Sequence, residues 1–235
     1  MIPLSDENPT KTFAGVTLAI IALCAAAFLW ELGLGARLDE ALVAFGFTPA
    51  AFTSGVALNK VGLPVWATIF TAMFLHSGWL HIGGNMLFLW IFGNNIEDAM
   101  GHFRFTIFYL VCGVSAAMAM VLLDPHSNTP MIGASGAISG VLAAYMLLYP
   151  RARVRTLLTL GFFFYVARLR AVWVVGIWFA IQLLTAAMTP PSEPGTAWWA
   201  HVGGFAAGLL LTPLFKSRDV RYFGPHDPRG PWADG

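Results

Sequence analysis

Three short stretches combine side chains able to perform acyl transfer with the small residues such chemistry needs. They are HSGWLHIGGN (residues 76–85), GASGAISG (133–140) and AHVGGFAAG (200–208). Ser135, crowded by glycine and alanine, has the neighbours of a nucleophile, because glycines let a substrate carbonyl reach the hydroxyl and leave backbone N–H groups free to face it. The same neighbours suit packing. Gly136 and Gly140 form a GxxxG pair, which lets membrane helices press together. Ser139, one helical turn further on and also followed by glycine, is a second serine of the same local type; its greater depth favours a packing or hydrogen-bonding role.

His201 can act as the base that takes the Ser135 proton, or simply as a polar residue near a helix end. Gly204 and Gly208 lie on its helix face, so that face is built for close approach, and the glycine face after Ser135 is the natural partner. That packing brings His201 within hydrogen-bonding reach of Ser135. Glu193 is expected in a loop, and Glu97 and Asp98 at the far end of their helix, so no acid completes a triad and a Ser–His dyad is the expected arrangement. His81 and Asn85, four residues apart, share one helix face. They serve either as a hydrogen-bonded packing pair or as neutral donors to an oxyanion, together with the Ser135 N–H. His76, upstream, is expected to order the preceding loop. With no carboxylate or thiolate at that depth, the HxxxxHxxxN pattern is not read as a metal site, and no cofactor is expected.

The elements that position these residues follow from composition. The chain has 235 residues, 57% hydrophobic and 11% charged, against about 25% charged in soluble domains. Apolar stretches long enough for a bilayer, roughly 18 residues or more, recur along it. An all-α polytopic membrane protein is predicted, with spans at about 13–33, 79–98, 104–123, 132–149, 171–189 and 197–215. A long, Phe- and Trp-rich first loop, 34–78, is expected to associate with the membrane and pack on the bundle. Residues 1–12 and 216–235 read as tails, the latter disordered. The stretch RTLLTLGFFFYVARLR (155–170) reads as an interfacial helix or an extension of the fifth span. Cys24 and Cys112 lie in apolar runs and no disulfide is expected. The net charge of +1 gives no argument for nucleic acid.

Lys11, Arg104, Arg151, Arg153, Arg155, Arg168, Arg170 and Lys216 fall on one side of a six-span arrangement, with only Arg37 and Lys60 opposite. By the positive-inside bias both termini are cytoplasmic. Spans two, four and six then start at the outer face, and their first turns carry His81 and Asn85, Ser135, and His201 in one shallow layer. Ionisable residues inside a membrane are costly and point to function.

In order, spacing and span count, the three blocks resemble those of the rhomboid intramembrane serine proteases, across roughly residues 13–215. The resemblance implies a six-helix rhomboid-like bundle and Ser135 as nucleophile. It implies His201 as base, His81 and Asn85 as oxyanion donors, and Gly204 and Gly208 as the packing pair against Gly136 and Gly140. It implies transmembrane proteins as substrates. The short termini and lack of a presequence fit a bacterial cytoplasmic membrane, with an organelle as the alternative. Two positions depart from the pattern. Many members carry an aromatic residue four places after the nucleophile, where this chain has Ser139, and many carry a Trp–Arg pair in the first loop, where Trp66 is followed by Ala67. The competing expectation is an inactive rhomboid-like protein that binds membrane-protein clients in the same recess.

Overall fold

The computed structural model describes residues 1–56, 62–189 and 197–223. In chain order the elements are β1 (Ile2–Asp6), α1 (Gly15–Gly33), α2 (Leu38–Phe45), α3 (Pro49–Ser54), α4 (Thr68–Ala72), α5 (Trp79–Phe88), α6 (Asn94–Met100), α7 (His102–Leu123), α8 (Ser135–Leu148), β2 (Arg153–Leu160), β3 (Phe163–Arg170), α9 (Ala171–Met188) and α10 (Trp198–Phe215). Four of the helices, α1, α7, α9 and α10, are long and apolar enough to cross a membrane, while α8 is a shorter apolar helix. A π-helical stretch, Leu89–Gly93, joins α5 to α6, so the region predicted as the second span is one helical rod with an irregular centre. Residues 190–196 and 224–235, which include Glu193 and most of the expected C-terminal tail, lie outside the described residues, as does Lys60.

The bundle closes around α8, whose buried face carries Val141, Leu142, Ala144, Tyr145 and Leu148. These meet Phe92, Phe105, Phe108 and Phe205 from the surrounding helices. Side-chain size sets the distances. Where α10 crosses α8, glycine faces glycine: a Cβ on Gly204 would collide with the Gly136 carbonyl, and one on Gly208 would come within 2.6 Å of Gly140 Cα. Backbone cannot yield as a side chain can, so only glycine permits this crossing. A separate small core, Phe47, Ile69 and Ala72 against Ala117 of α7, holds the first loop, whose residues form the short helices α2, α3 and α4.

The acids at the far end of the rod have a structural task. The Glu97 carboxylate, fully buried, accepts the N–H groups of Val16 (2.8 Å) and Thr17 (2.7 Å) at the start of α1. Asp98 accepts the Thr12 N–H (2.9 Å) and hydroxyl (2.6 Å). Helix N-termini carry orphan donors and a positive dipole end, which the Glu97 carboxylate answers, while Asp98 fastens the segment leading into the helix.

The all-α expectation needs correction. Residues 2–6, predicted as part of a tail, form a strand, and 155–170, predicted as an interfacial helix or an extension of the fifth span, belong to an antiparallel hairpin over 153–170. Together they make a three-stranded sheet in the order β1-β2-β3. The physical reason is local. RVRTLLTL sets Arg153 and Arg155 on one face and buried Val154 and Thr156 on the other, and its partner strand is rich in aromatic residues. Gly161, at φ +60°, supplies the turn between Leu160 and Phe163, with the positive φ at the first central position that a type II′ hairpin turn needs. Val154 and Thr156 seal the inner face of the sheet against the bundle and are fully buried. Asp6 of β1 accepts hydrogen bonds from Tyr145 Oη (2.7 Å) and Asn95 Nδ2 (3.0 Å), fastening the sheet to α8 and α6.

Candidate active site

Ser135 is the first residue of α8 and His201 lies in the first turn of α10. The glycine-on-glycine crossing below them sets these two helix starts side by side. His201 Nε2 is 2.7 Å from Ser135 Oγ. On the other side of the ring, Nδ1 is 2.6 Å from Oε1 of Gln182. A carbonyl oxygen only accepts, so the Nδ1 nitrogen carries the proton and Nε2 presents its lone pair to the serine hydroxyl. His201, Gln182 and Asn85 are each only 7% exposed, whereas Ser135 is half-buried and reachable from the recess above it.

Gln182 is the residue that the sequence reading missed. It is the one amide within the apolar run of α9, IWFAIQLLTAAM, and a polar side chain in a lipid-length helix is itself a signal. What sequence alone does not supply is its rotation about the helix axis toward α10. A neutral amide thus occupies the place where an acid would complete a triad.

The aromatic residue absent at position 139 is replaced in space. The Trp178 ring lies 6.0 Å from the His201 ring, tilted by 36°, and Trp198 meets it edge-on at 6.1 Å. Ser139 is fully buried and its hydroxyl donates to the Ser135 carbonyl at 2.7 Å, one turn back along α8. It is turned into the helix and away from the recess.

His81 and Asn85 enter from α5. The His81 ring is held by Ser77, whose N–H donates to Nδ1 (3.3 Å) and whose Oγ lies 3.1 Å from it. Its Nε2 edge faces Gly133, which has φ +114°; a Cβ there would come within 2.7 Å of Nε2. Glycine is required at this position both for the backbone conformation and for the room. The Asn85 amide nitrogen is buried with no protein acceptor among the described residues. A buried orphan donor is costly unless a ligand completes it. His76 does not join the group around Ser135. Its backbone N–H donates to the Glu31 carboxylate of α1 (3.0 Å), and its ring packs edge-on against His81 at 5.1 Å. It ties the end of the first loop to α1 and supports the His81 ring.

These groups line one cavity of about 800 Å³, walled by His81, Asn85, Ser135, Trp178, Gln182 and His201. Among the described residues, no Asp, Glu, Lys or Arg lines it, and no three His, Cys, Asp or Glu side chains come together to hold a metal ion. The chemistry on offer is that of a hydroxyl, an oriented imidazole and neutral hydrogen-bond donors.

Comparison with known proteins shows the family. Residues 64–218 match the Rhomboid domain family model. The chain is 34% identical over 156 residues to rhomboid protease GluP of Bacillus subtilis, covering 66% of this chain and 28% of that one. It is 30% identical over 194 residues to RHOMBOID-like protein 1 of Arabidopsis thaliana, covering 77% and 46%. With rhomboid-type serine protease 2 of Emericella nidulans it shares 29% identity over 181 residues, covering 72% and 31%. The matched region spans less than half the length of each of these relatives. Family match, apolar helices and the layout of the recess converge, and this membrane-embedded chain belongs to the rhomboid family.

Proposed function

We propose that this protein is an intramembrane serine endopeptidase, and that Ser135 and His201 form its catalytic dyad. The observation that carries the reading is the 2.7 Å contact between Ser135 Oγ and His201 Nε2, with Nδ1 held at 2.6 Å by Gln182. A histidine fixed at both nitrogens is held in the tautomer that can accept a serine proton.

In the mechanism, Ser135 Oγ attacks the carbonyl carbon of the scissile peptide while its proton passes to His201 Nε2. The developing oxyanion is met by the Asn85 amide, the His81 ring and the Ser135 backbone N–H. That N–H belongs to the first turn of α8, where no intrahelical acceptor exists. His201 then gives its proton to the leaving nitrogen as the C–N bond breaks. Water, activated by the same imidazole, hydrolyses the acyl ester and returns Ser135 to its starting state. Gly136, Gly140, Gly204 and Gly208 hold the two helix starts at the required separation.

A helical substrate hides its carbonyls in its own hydrogen bonds, so the substrate is a transmembrane segment weakened by glycine or proline. The small residues around Ser135 favour small side chains at the cleaved position. The arginine and lysine asymmetry supports a six-span reading with both termini in the cytoplasm and the recess open to the outer leaflet, and we read the membrane as a bacterial cytoplasmic one.

The test is covalent labelling of the purified protein with a fluorophosphonate probe, followed by peptide mapping. The expected result is modification of Ser135, abolished in both Ser135→Ala and His201→Ala. Label on Ser139 would reassign the nucleophile. Absence of any label on folded protein would favour a rhomboid-like protein that binds clients without cutting them.

A further inference from the structure

The β2–β3 hairpin has a property that the recess does not use. Arg153 pairs across the strands with Arg170, and Arg155 with Arg168, so four arginines share the outer face at the hairpin's base. Like charges directly opposite each other destabilise a sheet. Among the described residues, one acidic group, Glu7, answers this face, through Arg168 Nε at 3.1 Å. Beyond the arginines the character reverses. From Thr156 to Ala167 the hairpin has no charged residue, and Phe162, Phe163, Phe164 and Tyr165 are 98%, 80%, 72% and 65% exposed.

The exposed end projects free of its neighbours. Pairing with β1 ends at Leu157, so the last residues overhang by about 14 Å at roughly 3.4 Å per residue. Both of its faces are apolar: Phe163 and Tyr165 alternate onto the side of buried Val154 and Thr156, and Phe164 onto the arginine side. A globular partner covers one face of such a ribbon, whereas a bilayer surface surrounds it. The base is also fixed to the start of a helix long and apolar enough to cross a membrane. The Ala171 N–H, opening α9, donates to the Ala152 carbonyl at 2.8 Å, and Trp173 and Ile177 continue an exposed apolar surface along that helix.

We propose that this hairpin is a membrane-surface anchor, with its aromatic tip seated in the headgroup region of the leaflet at the bundle end opposite Ser135. The arginines at its base engage the phosphates of anionic lipids. Aromatic side chains favour this interfacial layer, and basic residues near it are drawn to anionic headgroups. The anchor holds the start of α9, and hence the helix that carries Gln182, against the lipid surface.

The full-length protein tests this directly. Phe163→Cys and Phe164→Cys, one on each face of the hairpin tip and each carrying an environment-sensitive fluorophore, are reconstituted in nanodiscs of phosphatidylcholine with or without phosphatidylglycerol. Cys24 and Cys112 are fully buried in the fold and stay unlabelled. The expected result is quenching of both sites by lipid-borne bromine, stronger with phosphatidylglycerol and weakened in an Arg153→Gln/Arg170→Gln background. A label at exposed Arg218→Cys, at the same end of the molecule, should instead respond to aqueous iodide. If the two tip sites are quenched by iodide like the Arg218→Cys control, or if only one face is shielded, the lipid anchor is refuted and the tip is a protein-docking surface. Lipid quenching that ignores phosphatidylglycerol would remove the arginines' assigned role.

Discussion

Gln182 offers the sharpest test of the proposed mechanism, because among the described residues its one polar contact in the site is with His201 Nδ1, at 2.6 Å. Gln182→Leu keeps the volume close to that of the native side chain and removes the acceptor. The buried Nδ1–H then has no partner, and the ring is free to place its proton on Nε2, where it cannot receive one from Ser135. Leaving a buried donor unsatisfied costs about 1–3 kcal/mol. If that cost falls on the transition state, kcat drops by roughly 5- to 150-fold, at about 1.4 kcal/mol per factor of ten. The assay is cleavage of a model transmembrane substrate in proteoliposomes, with kcat and KM determined separately and the rate of fluorophosphonate labelling measured in parallel. The expected outcome is a fall in kcat and labelling rate together, with KM nearly unchanged and the thermal transition close to wild type. Gln182→Asn, which keeps an acceptor on a shorter arm, should lie between the two. A Gln182→Leu protein with wild-type kcat would refute the orienting role. A loss confined to KM or to stability would make Gln182 a packing residue of α9.

Other parts of the structure make independent demands. Gly204→Ala should destabilise strongly and abolish cleavage, because its methyl meets the Gly136 carbonyl and not a side chain that can move; the detergent-solubilised thermal transition reads this. Ser139→Ala removes a single hydrogen bond to the Ser135 carbonyl, so it should cost about 1 kcal/mol of stability and leave cleavage within several-fold of wild type, in contrast to the complete loss expected for Ser135→Ala. Burial pushes the Asp6 carboxyl up from 3.8 to about 6. The folded state therefore holds this proton more tightly than the unfolded state does, and the associated stability is complete below about pH 4, declining as pH rises to 6. Asp6→Asn, which retains an acceptor for Tyr145 and Asn95, should flatten that slope in thermal melts recorded from pH 4 to 8; an unchanged slope would mean that another group controls it.

The sheet at the end of the bundle shows where reading by composition breaks down. RTLLTLGFFFYVARLR is as apolar as a helix of the bundle, and hydropathy cannot separate a strand from a helix over so short a run. Its central glycine and its aromatic second half, FFFYV, carried the distinction, and weighing them above hydropathy points to a hairpin. The β1 strand was beyond local reading, because IPLSD has no strand character until β2 offers an edge to pair with. The break between α5 and α6 was equally hidden, since a π-helical turn depends on packing around it and not on local propensity.

By itself the sequence determined the membrane setting, the family and the identity of the groups that could react. Long apolar runs have one stable environment, and a nucleophile, a base and close-packing glycines must be specific residue types whatever their surroundings. Tertiary structure decided which of two serines faces the recess, which end of His201 carries its proton and what holds it there. Ser135 and Ser139 differ by one turn of the same helix, and only the crossing of α10 brings one of them within 2.7 Å of an imidazole while the other donates to its own backbone. Gln182 is 19 residues from His201, and the rotation that joins them is set by how α9 packs beside α10, a property of the assembled bundle and of neither helix alone.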